Sequence, residues 1–134
     1  MMIEKTLSII KPDAVERNLI NEIKNIFLKN GLSIIKNKKI QISKEEAAEF
    51  YRVHQSKSFY NDLCNYLSSG PIVVMVLEGE NAILKNRELM GSTNPAEASK
   101  DTIRGQFGIS IDKNSVHGSD SKENAEKEIN FFFN

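Results

Sequence analysis

The sequence predicts an α+β fold, a ferredoxin-like βαββαβ sandwich in which a four-stranded antiparallel sheet is backed by helices on one face. Three observations lead there. Apolar residues alternate with period two from Ile3 to Ile10. A continuous apolar run, Ile72-Val73-Val74-Met75-Val76-Leu77, reads as a buried strand. Elsewhere the apolar spacing is helical, and turn residues separate the segments. The order is strand, helix, strand, helices, strand, helix, long loop, short strand, helix. No repeat, low-complexity stretch or linker divides the chain, so residues 1–134 are expected to form one domain.

The first strand places Ile3, Leu7 and Ile9 on one face, and Lys11-Pro12-Asp13 breaks it. One helix is then expected to about Asn30, with Leu19, Ile20, Ile23, Ile26 and Phe27 as its apolar stripe and Gly31 just past its end. Leu32 to Ile42 reads as the second strand, and Lys36, Lys38 and Lys39 suit an edge. Ser43 and Glu46 form a capping-box pattern. The helix they open places Ala47, Phe50, Tyr51 and His54 on one face, which makes His54 a structural contact. Phe59, Leu63, Tyr66 and Leu67 are spaced as a further helix, where Cys64 reads as packing, and Ser68-Ser69-Gly70-Pro71 ends it. Glu80 to Met90 is helical, with Ile83 and Leu84 apolar. Gly91 to about Asn114 is irregular and polar, and a loop of that length in a small domain is often functional. Gly105 and Gly108 are expected to loosen it. A short strand ends near His117, and a last helix runs from about Asp120 to Asn130.

Composition narrows the function classes. The 134 residues carry 18 basic and 18 acidic side chains, a balance that argues against a broad face for nucleic acid but allows a small cationic pocket. One cysteine, Cys64, allows no internal disulfide, and two histidines nearly exclude a multi-histidine metal site. The start shows no secretory pattern, and the longest apolar run is too short to span a bilayer. A reduced, cytoplasmic setting is expected. No glycine-rich phosphate loop or dinucleotide fingerprint is present.

His117 lies in Asn114-Ser115-Val116-His117-Gly118-Ser119-Asp120-Ser121. Gly118 frees the backbone directly after it, and Ser119, Asp120 and Ser121 are helix-capping types, with Asp120 and Glu123 resembling a capping box. A histidine just before a helix start sits where an anion is favoured, and imidazole is a usable nucleophile near neutral pH. Local physics alone leaves the plainer alternative ahead, a polar turn capping a surface helix.

The wider pattern changes that balance. Asn114-x-x-His117-Gly118-Ser119-Asp120-Ser121 resembles the active-site signature of nucleoside diphosphate kinases. Thr6-Leu7-Ser8-Ile9-Ile10-Lys11-Pro12-Asp13-Ala14 is similar to that family's first strand and turn. Ser69-Gly70-Pro71, Gly91-x-Thr93-Asn94-Pro95 and Thr102-Ile103-Arg104 also match, in order and in register. The resemblance covers essentially the whole chain. It implies a phosphotransferase that moves the terminal phosphate of a nucleoside triphosphate to a nucleoside diphosphate by a ping-pong route, with His117 the phosphorylated residue. It further implies Lys11, Arg87, Thr93 and Arg104 on the phosphates, Lys11 and Asn114 on the sugar hydroxyls, and Phe59 stacked on the base. Ser119, Glu128 and Tyr51 would support the histidine. Magnesium is implied on the nucleotide phosphates with no dedicated protein site, as is a homo-oligomer, tetramer or hexamer. Longer members of the family carry a C-terminal extension that joins subunit contacts, so the two assemblies stay open. Two other classes remain beside it: a nucleotide-binding regulatory module without turnover, and a ferredoxin-like nucleic-acid binder. The presence of His117, Lys11 and Arg104 speaks against the first, and zero net charge against the second.

Overall fold

An apolar run as continuous as Ile72–Leu77 needs cover on both sides, and the computed structural model, which describes residues 3–111 and 113–133, provides it. Four strands, β1 (Ile3–Ile10), β2 (Ser33–Ile40), β3 (Ile72–Glu80) and β4 (Val116–Gly118), form one sheet in the order β2-β3-β1-β4. Every adjacent pair is antiparallel, as the α+β prediction requires. Helices cover both faces, where one was expected. One apolar cluster joins Ile10, Val73, Met75, Leu77 and Val116 to α1 (Pro12–Glu16), α2 (Ile20–Lys29), α5 (Ala82–Met90) and α6 (Ile103–Phe107). The other joins Leu7, Ile9, Ile72 and Val74 to α3 (Lys44–Phe50), α4 (Tyr60–Leu67) and α7 (Lys122–Phe133), and takes in Cys64.

Several boundaries differ from the periodic reading, each for a local reason. The single helix expected to Asn30 is two, because Asn18 takes a left-handed conformation (φ 62°) between them, which asparagine tolerates better than most residues. Helix α2 closes as foreseen: Gly31 (φ 84°) follows it, with Gly31 N donating to Leu28 O and Leu32 N to Phe27 O. The capping box at Ser43 and Glu46 is present, both bonds 3.0 Å. Helix α3 stops at Phe50, however, and His54 sits on a 3-10 turn, Arg52–His54. Strand β3 runs on to Glu80 before Asn81 (φ 50°) starts α5. The cap of α7 is Ser121, whose Oγ accepts from Asn124 N at 3.2 Å, in place of Asp120 with Glu123. The terminal helix continues to Phe133; Phe132 is buried and Phe131 partly exposed.

The long segment after Gly91 is not loosened by its glycines. A Cβ at Gly105 would lie 1.9 Å from Ser99 O, so the missing side chain lets α6 close against the preceding turn. Thr102 caps that helix through Gly105 N, 3.1 Å. No helix among the described residues is long and apolar enough to cross a membrane.

Candidate active site

Sheet register sets the site. β4 pairs with β1 so that His117 stands opposite Ile9 and its ring points to the face covered by α3 and α7. There its Nε2 lies 3.0 Å from Glu128 Oε1 on α7. The same carboxylate oxygen accepts from Ser119 Oγ at 2.8 Å. Ser119 is fully buried, and its Oγ also accepts from Leu7 N at 3.4 Å. One carboxylate thus holds both the ring and the turn that follows it. Phe50 meets the imidazole edge-on with centroids 5.3 Å apart, and Tyr51 does so at 6.5 Å. Burial, then the Glu128 charge, pushes the Tyr51 hydroxyl well above its ordinary pKa.

The cations come from three other segments. Arg104, on α6, is buried, and its guanidinium donates to Gly91 O (3.1 Å) and Val116 O (2.9 Å). Its Nε has no partner, and no carboxylate pairs with it among the described residues. Burial, then the neighbouring Arg87 charge, pulls Arg104 down to about 10. A buried cation left this way is costly unless an anion completes it. Arg87 itself is exposed on α5. Lys11, at the end of β1, is buried and donates through Nζ to Asn114 Oδ1 at 2.9 Å. Asn114 Nδ2 donates in turn to Thr93 O, 3.0 Å, so Lys11, Asn114 and Thr93 form one chain across the site.

Phe59 lies at the other end of a line of rings. His54 links it to Tyr51 with centroid separations of 6.1 and 6.2 Å. Phe59 begins no buried stripe; it is 42 % exposed, with Lys57 Nζ 5.6 Å from its centroid. His54 is therefore on the border of the site, which its position in the sequence did not disclose. Burial, then the charges of Lys57 and His117, pull its pKa below the usual value.

The structure therefore gathers His117, Ser119, Glu128 and Tyr51 in one cluster, and Lys11, Asn114 and Thr93 in a second. Arg104 connects them through the carbonyl next to His117. Three further residues, Phe50, Asp13 and Ser115, belong to the surroundings and were not singled out. A concavity of about 1070 Å³ walled by Asp13, Arg17, Tyr66, Pro71 and Ile109 includes none of the proposed site residues; chemistry, not volume, marks the site. Among the described residues no group of three or more carboxylate, histidine or cysteine side chains is assembled that could hold a metal ion.

A histidine tethered through one ring nitrogen and a buried arginine without a carboxylate partner among the described residues, bonded to the carbonyl of the residue before that histidine, are the chemistry a phosphotransferase uses, and that is the class of protein to which the fold and the comparisons assign the chain. The family profile described as nucleoside diphosphate kinase matches residues 4–134. A nucleoside diphosphate kinase of a Nitratiruptor species is 63 % identical over 130 residues, covering 97 % of this chain and 95 % of its own. That of Nitrosococcus oceani is 58 % identical over 133 residues, covering 99 % and 93 %. Among solved structures, the Aquifex aeolicus nucleoside diphosphate kinase superposes with a TM-score of 0.98 at 43 % identity, covering 99 % of this chain and 96 % of its own. The chain belongs to the nucleoside diphosphate kinase family, and its activity is phosphotransfer between nucleotides.

Proposed function

We propose that residues 1–134 act as one domain that carries the phosphate on His117 between a nucleoside triphosphate and a nucleoside diphosphate. The observation that carries this is the 3.0 Å contact of His117 Nε2 with Glu128 Oε1. With Glu128 ionised, Nε2 keeps its proton as a donor, and the lone pair of Nδ1 is the nucleophile. Nδ1 attacks the terminal phosphorus; the P–N bond forms as the P–O bond to the leaving diphosphate breaks, and the diphosphate takes that electron pair. A second diphosphate then attacks the phosphohistidine through its terminal oxygen, and the P–N bond breaks. A phosphorus–nitrogen bond keeps much of the anhydride's transfer potential, so the cycle runs either way.

The other residues position charge. Arg104, Arg87, Lys11 and Thr93 receive the phosphates, and Lys11 and Asn114 the sugar hydroxyls. Phe59 stacks on the base, which every base permits because each has a π-face. Ser119 and Tyr51 hold the histidine and Glu128 in place. A divalent cation such as Mg2+ would be held chiefly by the nucleotide phosphates and water, where it would supply neutralising charge to the transferred group while Arg104, Arg87 and Lys11 hold the phosphates. The setting is cytoplasmic, and the assembly a homo-oligomer, tetramer or hexamer.

The test is transfer of label. Protein mixed with terminally labelled nucleoside triphosphate is expected to become labelled on His117 and to pass the label to added diphosphate. His117→Ala at full transfer rate sinks the mechanism; nucleotide binding without labelling favours the regulatory alternative.

A further inference from the structure

Ser115, two residues before His117, is one of three described non-glycine residues with positive φ (76°). Val116 N donates to Asn114 O at 2.9 Å across it, which closes a γ-turn of the rarer, strained hand. Such a conformation persists only where its surroundings impose it. Here they do so from every side. Ser115 O accepts from Lys11 N at 2.8 Å. Its N–H donates to Asp13 Oδ1 (3.3 Å) and its Oγ–H to Asp13 Oδ2 (3.0 Å). The Asp13 carboxylate is buried and also accepts from Arg17 (3.1 Å) and from the Tyr66 hydroxyl. That hydroxyl in turn accepts from Asp13 N at 2.8 Å, which fixes the first turn of α1 to α4.

The residue so held separates two halves of the site. On one side is Asn114, bonded to Lys11 and Thr93; on the other, Val116, whose carbonyl anchors Arg104, and then His117. A change of conformation at Ser115 therefore alters the offset between Asn114 and the nucleophile. We infer that Asp13 is a positioning residue that holds the Ser115 γ-turn and thereby sets the nucleotide's sugar, held by Lys11 and Asn114, at its working distance from His117. This rests on the proposed roles of His117, Lys11 and Asn114.

The test is Asp13→Asn in the full-length protein, which preserves shape but replaces one acceptor oxygen with a donor facing other donors. Two quantities are read. One is the ratio of kcat/KM for a ribonucleoside diphosphate to that for its 2′,3′-dideoxy analogue. The other is the rate of His117 phosphorylation by phosphoramidate, a donor with no sugar. The ratio is expected to fall at least fivefold while phosphoramidate labelling stays within about twofold. A ratio within twofold of wild type overturns the inference whatever happens to overall activity, as does a parallel fall of both quantities, or a wild type indifferent to the sugar hydroxyls. If Asp13→Asn does not fold, Ser115→Ala removes a single bond to the carboxylate; the ratio should fall at least twofold, and an unchanged ratio again overturns it. Wild-type protein that takes no phosphate on His117 from either donor refutes the catalytic reading instead, so the two failures are told apart.

Discussion

Removing Glu128 isolates how much of the rate comes from holding the imidazole. Its Oε1 is shared by His117 Nε2 at 3.0 Å and Ser119 Oγ at 2.8 Å. Hydrogen bonds to an ionised partner contribute about 1.5–3 kcal/mol. The Glu128 side chain is 20 % exposed and that of His117 22 %, so water can replace part of the lost contact and the lower end applies. About 1.5 kcal/mol in the transition state is roughly a tenfold loss of rate for Glu128→Ala. Glu128→Gln keeps an acceptor oxygen without the charge and should lose about 1 kcal/mol, roughly fivefold. The assay is single-turnover formation of phosphohistidine at saturating labelled nucleoside triphosphate, with KM measured separately. The loss should fall on the rate, with KM within about twofold, because Glu128 contacts His117, the proposed nucleophile, and has no proposed role on the nucleotide. Glu128→Ala also leaves the buried Ser119 hydroxyl without an acceptor, which costs about 1 kcal/mol of stability, or roughly 2–6 °C in Tm. A Glu128→Ala protein that phosphorylates at the wild-type rate, or whose loss lies in KM alone, refutes the orienting role.

Two more substitutions test the periphery. Phe59→Ala should raise the nucleotide KM roughly tenfold, the size of one base–aromatic stack, while leaving Tm nearly unchanged because the ring is 42 % exposed; initial-rate kinetics and a melting curve decide, and an unchanged KM removes Phe59 from the base site. Gly118→Ala would bring a methyl to 2.3 Å from Asn86 Nδ2 and 2.7 Å from Met90 Cε, so β4 must shift at a cost of about 1–3 kcal/mol; urea denaturation measures it, and an unshifted midpoint would show that α5 yields instead.

The sheet was legible because its strands carry local signals, but β1 and β3 carry opposite signals about the number of layers. Alternation in β1 makes Thr6 and Ser8 look like a solvated face. Both are fully buried, because α5 packs over that face of the sheet. The continuous run of β3 already required two layers, and where the two patterns conflict the run is the stronger constraint, since six adjacent apolar residues cannot share one face. The break at Asn18 and the end of α3 at Phe50 were hidden for a different reason: apolar spacing continues past both, and only backbone dihedrals report the turn. In the site, Lys11, Asn114, Ser119, Glu128 and Arg104 were reached through a pattern spread over the whole chain. Asp13 was read only as part of the Lys11-Pro12-Asp13 break after the first strand and of the segment that resembles the family, with no role of its own. Its partner Ser115 is 102 positions away, and no local period records a contact at that distance.

Arg104 shows why such a site tolerates its own cost. Its guanidinium is buried, bonded to two carbonyls, pressed by the charge of Arg87, and lacking a carboxylate among the described residues. A salt bridge there would stabilise the empty protein, but the carboxylate would then compete with every incoming phosphate. Hydrogen bonds to carbonyls hold the fork in place without neutralising it. In the role proposed for Arg104, the charge stays available for a group that is present only during turnover, when charge on the transferred phosphoryl group is spread over its outer oxygens. Glu128 raises no such conflict, because its one contacting oxygen is already occupied by Ser119 and His117. On the proposed reading, the site separates its charges by assigning the carboxylate to His117 and leaving the arginine to the phosphate.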